Sequence, residues 1–416
     1  MTAYFAAGNA ANAVWCAHTL VASPTLETLF PDSHALSNEL AELARFSDLT
    51  ADASVIYDLN MLYDGGFEIG SSGQAPLDTD PKGRLAWQIE SGTPTISQGV
   101  TAHSGTNELR LNATDEAAFY DIPVIAGNTY RWDGWLYGGG THSAQVEIIN
   151  IDTGNYLNSA GSWVAAQAYI HTRATASWGQ DTDTFTVESA PTGGDPNMTL
   201  RLRLTRSSTG TTAVYFDDLA IFPDVDTAAL FGARYGQGVD AEIWSADDTA
   251  GADNLEGTLP RNGFRSAVEL DKPATPRRWW RLFFDGGPSV RAIDFAQLWL
   301  SERKSFSKGA GVVDSSYEMP QTRLTNRALR RGAEARIVQP LTFKVLGATD
   351  LELALSGLYR GSRGGVEPVL LWPDISDPSR VFHGRLDPKF KQDYLSPTAS
   401  GVTVEFAEDY LPGFST

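Results

Sequence analysis

One short segment of the chain, Tyr130–Tyr137, carries side chains whose type and spacing suit sugar binding. Its residues, Tyr-Arg-Trp-Asp-Gly-Trp-Leu-Tyr, present two different faces when the backbone is extended. The apolar set suits a core: Tyr130, Trp132 and Leu136. The other set suits a ligand: Arg131, Asp133, Trp135 and Tyr137. Aromatic rings pack on the C–H surface of a pyranose, and planar polar groups fix its hydroxyls.

Polar residues on two further segments extend this second face. Gln145 and Glu147 alternate with apolar neighbours, and Arg201 and Arg203 alternate with leucines. We therefore predict one open sheet face that binds a glycan, made of Trp135, Tyr137, Gln145, Glu147, Arg201 and Arg203, with Trp163 and Tyr169 at its rim. The alternative is a polar sheet face covered by a neighbouring domain.

Signals for catalysis are absent from the sequence. It contains no Gly-x-Ser-x-Gly elbow, no Walker A loop and no His-Glu-x-x-His. The 6 histidines are dispersed without the spacing of metal ligands. We therefore expect a protein that is not an enzyme.

Charge divides the chain and excludes some partners. The 416 residues hold 32 Lys and Arg against 51 Asp and Glu, a net charge of −19. Residues 1–59, 60–225, 226–303 and 304–416 carry nets of −6, −11, −3 and +1. An acidic field repels nucleic acid and anionic membranes. The last segment is nearly neutral, whereas the segments before it are acidic, which predicts a separate domain.

Two further features concern location and docking. The N-terminus lacks the basic start and apolar stretch of a signal peptide, which predicts synthesis in the cytoplasm. Five arginines cluster in the nearly neutral last segment, without interleaved aromatics: Arg323, Arg327, Arg330, Arg331 and Arg336. This pattern favours acidic neighbouring subunits over nucleic acid as the partner.

Apolar residues recur with period two over most of the chain. Segments such as 107–113, 144–149 and 198–205 alternate apolar and polar residues and are separated by Gly- and Pro-rich turns. We predict a mainly β protein, with two β-sandwich (jelly-roll or discoidin-like) domains and a smaller α+β C-terminal domain. Helices are predicted at Ser37–Arg45 and Ala348–Arg360, and a buried strand at Val366–Trp372.

Residues 60–225 resemble carbohydrate-binding modules of the family 4, 9, 16 and 22 jelly-roll type. The likeness begins at Asn60-Met-Leu-Tyr-Asp-Gly-Gly-Phe-Glu and ends at Val214-Tyr-Phe-Asp-Asp-Leu-Ala-Ile, with Ala126–Trp135 and Trp178–Val187 between them. In such modules, the Glu of the opening and the Asp of the closing strand bind a structural calcium ion. The resemblance therefore implies a calcium site at Glu68 and Asp217, and core positions for Trp87 and Trp178. A pair of surface acids is the alternative. Asp218 is expected on the opposite face from Asp217.

The flanks resemble the two halves of a discoidin-like sandwich. Ala53–Leu59 is similar to its early strand, and Val239–Asp248 and Arg278–Phe284 are similar to its later strands. We predict a split discoidin-like domain at 1–59 and 226–303, an inserted carbohydrate-binding module at 60–225 and a docking domain at 304–416.

Split sandwiches followed by a segment like 304–416 are similar to minor tail proteins of siphophages and prophages. The residues that carry this resemblance are 336–343, 358–360 at the end of the predicted helix, 367–374 and 382–386. This resemblance implies a virion protein of the tail tip or baseplate that is made in the host cytoplasm, binds other tail proteins and host-surface glycan, and forms a homo-oligomer around the tail axis. The alternatives are an accessory carbohydrate-binding protein of a glycan-degrading system and an unrecognised glycoside hydrolase.

Overall fold

The structure is a computed structural model with side chains. It describes residues 4–7, 20–23, 44–46, 52–76, 86–98, 102–113, 115–190, 195–207, 212–235, 238–246, 254–260, 265–271, 273–285, 293–305, 316–318, 321–323, 329–331, 336–345, 359–363, 366–372, 376–379, 381–386, 391–396 and 399–408. Among these residues, no helix is long and apolar enough to cross a membrane.

The regular elements among the described residues are strands. Strands up to the end of the predicted module are β1 (Tyr4–Ala7), β2 (Leu20–Ser23), β3 (Ala44–Arg45), β4 (Ala53–Asp58), β5 (Gln88–Ser91), β6 (Thr95–Ser97), β7 (Glu108–Leu111), β8 (Ala117–Ile125), β9 (Thr129–Tyr137), β10 (Ala144–Asn150), β11 (Asn155–Leu157), β12 (Trp163–Val164), β13 (His171–Arg173), β14 (Trp178–Thr186), β15 (Asn197–Arg206) and β16 (Val214–Pro223). The later strands are β17 (Thr227–Phe231), β18 (Asp240–Ala246), β19 (Asn254–Leu259), β20 (Arg265–Glu269), β21 (Trp279–Asp285), β22 (Asp294–Phe295), β23 (Gln297–Ser301), β24 (Lys304–Ser305), β25 (Ser316–Glu318), β26 (Gln321–Arg323), β27 (Leu329–Arg331), β28 (Arg336–Val345), β29 (Val369–Trp372), β30 (Phe382–Leu386), β31 (Lys391–Ser396) and β32 (Ala399–Glu408).

Two antiparallel sheets make a jelly-roll-like sandwich from β5–β16. Sheet I has the order β14-β9-β16-β7-β6, and sheet II has the order β12-β11-β10-β15-β8-β5, with β13 beside β10. Strand β9 alternates half-buried and buried residues along its whole length, as period-two patterning requires. Its buried Trp132 and Leu136 join one core cluster with Val146 and Leu202 of sheet II. The prediction of a mainly β fold is confirmed.

The segments on either side of this sandwich pair with each other. Strand β4 lies between β2 and β21 in a sheet of order β19-β18-β21-β4-β2, and Ala53 pairs with Phe284. A three-stranded sheet of order β20-β17-β23 contributes to the same core. The chain therefore leaves the five-stranded sheet at Asp58, builds the sandwich, enters the three-stranded sheet at Thr227 and returns to the five-stranded sheet at Asp240.

The last sheet includes the first strand of the chain. Its order is β24-β1-β29-β30-β32-β28-β25, and Tyr4 pairs with Trp372. The assignment of all of residues 1–59 to the split sandwich is therefore wrong at β1. Backbone pairing between strands so far apart in sequence leaves no local signal.

The structure departs from the helix predicted at 37–45 and from the predicted start of the buried strand. Ala44–Arg45 pairs with Asp294–Phe295 as a short strand, so the helix predicted at 37–45 is wrong at its end, and residues 37–43 lie outside the described residues. Most of the predicted helix at 348–360 also lies outside them. The buried strand begins at Val369, since Val366 is 70% exposed. Of the arginine cluster, Arg327 is not described, and the other four lie in β26, β27 and β28.

Candidate functional site

The opening turn of the module is fixed to its closing strand β16. The Asn60 side chain donates to the Leu219 carbonyl at 3.1 Å and accepts from the Ile221 amide at 3.1 Å. A Cβ on Gly65 would lie 2.0 Å from the Leu219 carbonyl oxygen, so only glycine allows the turn to come this close. This contact places Glu68 beside the middle of β16.

A bulge in β16 turns two adjacent carboxylates toward one loop. The register with β9 shifts between Asp217 and Ala220, and Asp218 has a φ of 49°. The Asp217 carboxylate accepts from the Ser104 amide at 3.1 Å, and Asp218 accepts from the Ser104 hydroxyl at 2.7 Å. The expectation that Asp218 faces away from Asp217 is therefore wrong, because a bulge interrupts the alternation of side chains.

Glu68 holds the other end of the same loop, residues 103–107. Its carboxylate accepts from the Thr106 amide at 2.8 Å, the Thr106 hydroxyl at 2.9 Å and the Asn107 amide at 3.0 Å. Glu68 and Asp217, the predicted calcium ligands, thus lie around one loop. They join the opening of the module to its closing strand through that loop.

The carboxylates around this loop are oxygen donors of the type that a hard cation binds. Burial, and secondarily the charge of Asp218, raises the pKa of Asp217 to about 7. Burial also raises the pKa of Asp64, near Glu68, to about 6, and its Oδ2 is buried without a hydrogen-bond partner among the described residues. Within that part of the chain, no three His, Cys, Asp or Glu residues are grouped to hold a metal. Calcium bound by Glu68 and Asp217 would therefore need backbone carbonyls and water as further ligands.

His103, at the start of the loop, covers one face of Trp135. The two rings are stacked, with centroids 3.4 Å apart and an interplanar angle of 13°. The Nδ1 atom of His103 lies 2.7 Å from Asp218. Trp135 is on the predicted outer face of β9. Because His103 covers one face of its ring, a ligand can reach less of that ring than the sequence implied.

Three other aromatic side chains lie side by side on the outer face of sheet I. Strand pairing places Trp178 opposite Tyr137 and Tyr137 opposite Tyr215. The centroid of the Tyr137 ring is 5.6 Å from that of Trp178 and 5.6 Å from that of Tyr215, both in edge-to-face geometry. All three side chains are half-buried. We call Trp178, Tyr137 and Tyr215 the aromatic row.

The other half of this outer face is covered by the flanking sheet region. Arg131 donates to the Pro276 carbonyl at 3.3 Å and pairs with Asp133 at 3.1 Å. The alternative of a covered polar face therefore holds for the Arg131 end of β9. The aromatic row lies at the opposite end.

Four of the predicted glycan-binding residues lie on the opposite side of the sandwich. Gln145, Glu147, Arg201 and Arg203 belong to β10 and β15 of sheet II, so they do not share a face with Trp135 and Tyr137. The prediction of one groove is wrong, since alternation gives the face of each strand but not the sheet that it joins.

The polar residues on sheet II are bound to one another. Arg203 pairs with the fully buried Glu147 at 2.6 Å and also with Glu90. Arg201 makes two bonds to Asp121, at 2.8 and 2.9 Å. These contacts stabilise pairing between strands and leave fewer polar groups for a ligand.

The predicted rim residues make contacts within the module, and one of the two tryptophans predicted in the core is buried. Trp163 donates to the Thr186 carbonyl at 2.9 Å at the edge of the sandwich, and Tyr169 lies within hydrogen-bond distance of Gln167, at 3.4 Å. Trp87 is 1% exposed, which confirms its core position. Trp178 is half-buried on the outer face, so its core assignment is wrong.

Sequence reasoning missed His103, Trp178 and Tyr215 as members of this surface. A signal existed for Trp178. It lies an odd number of positions from the core residue Phe185 in the same strand, so the two side chains point to opposite faces. Tyr215 is separated from Asp217 by one residue in β16, so alternation predicts both side chains on the same face. His103 is in a loop and had no periodic signal.

No family model matches the chain, and no curated protein matches it. Solved structures that it is similar to include a family 4 carbohydrate-binding module, with 16% identity over 39% of this chain and 99% of that one, and a TM-score of 0.24. A second is the family 61 module TmCBM61 in complex with beta-1,4-galactotriose, with 14% identity over 40% of this chain and 99% of that one, and a TM-score of 0.26. A third is the enzymatically active domain of tailspike protein 4 of bacteriophage CBA120, with 11% identity over 33% of this chain and 19% of that one, and a TM-score of 0.23.

Proposed function

We propose that this chain is a non-enzymatic structural protein of a phage-like tail tip or baseplate, and that its module binds a host-surface glycan. The aromatic row carries the glycan-binding part of the proposal. Trp178, Tyr137 and Tyr215 are half-buried neighbours on one sheet face. Half-buried aromatic rings on an open sheet face offer apolar surface on which a sugar can pack.

The tail assignment draws on the order of the segments and on their charge. Flanking strands resembling a split discoidin-like sandwich enclose the module, and a segment with 14 bases and 13 acids follows an acidic remainder. Charge complementarity with an acidic neighbour would give such a segment specificity in assembly.

The discriminating experiment uses the full chain in two assays. Binding to a glycan array, without hydrolysis of the retained glycans, together with detection of the chain in purified particles, is the expected result. Hydrolysis of a retained glycan would favour the glycoside hydrolase alternative. Glycan binding by a chain that is absent from particles would favour an accessory protein of a glycan-degrading system.

Docking through the arginine cluster gives a prediction of its own. Reversing the charge of Arg323, Arg330 and Arg331 to Glu should strongly reduce the amount of the chain in assembled particles, because an acidic partner would then be repelled. Replacement of the same three residues by Lys keeps the charge and is the matched control. Immunoblots of purified particles measure both variants. Equal incorporation of the Glu and Lys variants would exclude this docking surface.

We also propose that Glu68 and Asp217 hold a structural calcium ion. Such an ion would stabilise the junction of the opening turn with β16 without taking part in glycan chemistry. Its chemical contribution would be to neutralise two neighbouring carboxylates.

Calcium is expected to raise the melting temperature of the full chain at pH 8, relative to a chelator. A hundredfold excess over the dissociation constant stabilises by about 2.7 kcal/mol. Because the pKa of Asp217 is raised to about 7, ionisation of this group destabilises the metal-free fold as the pH rises from about 4 through 7. The calcium effect should therefore fade below pH 7, where protons compete for the carboxylate.

Asp217→Asn should remove the calcium response, while the exposed Asp115→Asn should keep it. Thermal melts in calcium and in chelator measure both variants. A wild-type protein with the same melting temperature in the two conditions would rule out the calcium site.

A further inference from the structure

The aromatic row continues into a charged residue on the next strand of sheet I. Tyr215 of β16 pairs with Arg110 of β7, which in turn pairs with Thr95 of β6. Trp178, Tyr137, Tyr215 and Arg110 therefore lie on one line that crosses four strands. With neighbouring strands about 4.8 Å apart, this line is about 14 Å long.

Arg110 differs from four other arginines of the sandwich in its partners. Arg131, Arg173, Arg201 and Arg203 each pair with a carboxylate. Arg110 has no carboxylate partner within the described residues. Its Nη2 donates to the neutral side chain of Asn112 at 3.1 Å, and its Nε is buried without a hydrogen-bond partner among those residues.

A half-buried guanidinium that forms no ion pair with a described carboxylate is a suitable receptor for an anion. Its planar fork donates two parallel hydrogen bonds to a carboxylate, and bonds of this kind are stronger than those between neutral groups. The surrounding module is acidic, with 8 bases against 19 acids over residues 60–225. An acidic ligand would therefore be favoured where Arg110 lies, at the end of the aromatic row.

We propose that Arg110 selects a glycan that carries a carboxylate, with the acidic sugar at the Arg110 end and neighbouring sugars on the aromatic row. This inference rests on the proposed glycan-binding function. It names the class of glycan, an acidic one, which neither the aromatic row nor the resemblance specifies. Hydrogen bonds from an arginine to a carboxylate have a planar geometry that a lysine does not reproduce.

The test uses matched acidic and neutral glycans with the full chain. The probes are oligogalacturonides and their methyl esters, sialylated and desialylated oligosaccharides, and pyruvylated and depyruvylated galactans. Each pair differs in the presence of a carboxylate. The wild type should bind an acidic member at least about tenfold more tightly than its neutral partner, and the preference should decrease with salt because screening weakens charge interactions.

Three variants separate the possible outcomes. Arg110→Gln keeps a donor for Asn112 and should lose the preference for the acidic member while retaining the neutral affinity and the wild-type melting temperature. Arg110→Lys should retain part of the preference, and Trp178→Ala should weaken binding to both members. Equal binding of acidic and neutral partners by the wild type, or an unchanged preference in Arg110→Gln, would overturn the role of Arg110 and leave glycan binding intact. Retention of none of the probes by the wild type would overturn the role of Arg110, and absence of binding to the whole glycan array would overturn glycan binding as well.

Discussion

Replacing Arg278 with Met is expected to lower the free energy of unfolding by about 3–5 kcal/mol, because it leaves a buried carboxylate without its counter-ion. The Nε and Nη2 atoms of Arg278 each lie 2.7 Å from an oxygen of Asp58. The Asp58 side chain is 8% exposed. It also accepts from the Asn60 amide at 3.0 Å, so the loss falls at the junction between β4 and the module.

A second arginine with the same bonding pattern is the matched control. Arg201 makes two bonds of 2.8 and 2.9 Å to Asp121, but the Asp121 side chain is 26% exposed. Water can solvate that carboxylate after Arg201→Met, so the expected loss is about 1 kcal/mol or less. Denaturant unfolding of the full chain measures both variants. Equal losses would show that burial of the carboxylate does not determine the effect.

Local alternation in the sequence predicted the faces of individual strands well. Tyr130, Trp132 and Leu136 are buried, and Trp135 and Tyr137 are on the outer face of β9, as their parity requires. These outcomes depend only on the period of a strand and on where its apolar residues lie. They need no knowledge of neighbouring strands.

The arrangement of strands in the sheets could not be predicted in this way. Glu147 and Trp135 both alternate with core residues, yet they lie on different sheets. Which strands pair depends on contacts between distant parts of the chain, and a face without its neighbours does not define a groove. The pairing of β1 with β29 has the same origin.

The bulge in β16 is a local irregularity that alternation in the sequence did not predict. The bulge at Asp217 and Asp218 follows from contacts with the opening turn and with loop 103–107, which are distant in sequence. It brings His103 over Trp135 through the Asp218 carboxylate. The alternation of apolar and polar residues in a sequence does not show where a strand contains a bulge.

Trp178→Ala is expected to weaken glycan binding by about thirtyfold, which corresponds to about 2 kcal/mol, the typical effect of removing an aromatic anchor. Trp178 is at the end of the aromatic row on the edge strand β14, and its ring contacts Tyr137 at a centroid distance of 5.6 Å. Because the side chain is half-buried on the outer face, the fold should remain intact. Glycan-array binding and a thermal melt of the full chain measure the two effects.

Three other tryptophans test whether the loss is specific to the aromatic row. Trp163→Ala removes a half-buried ring at the edge of sheet II and should leave glycan binding unchanged. Trp132→Ala removes a fully buried ring and should cost about 3–5 kcal/mol of stability. Trp135→Ala removes the ring that His103 covers, so its effect on binding should be smaller than that of Trp178→Ala.

The order of these effects decides whether the aromatic row binds the glycan. If Trp178 stacks directly on a sugar, its truncation should act on affinity while the melting temperature stays close to that of Trp163→Ala. Display of several copies around a particle would enlarge the difference, since each weak contact is strengthened by the effective concentration of the others. Adsorption of particles carrying each variant measures that enlarged effect. Equal adsorption of Trp163→Ala and Trp178→Ala particles, with equal retention on the array, would show that the row is not the binding surface.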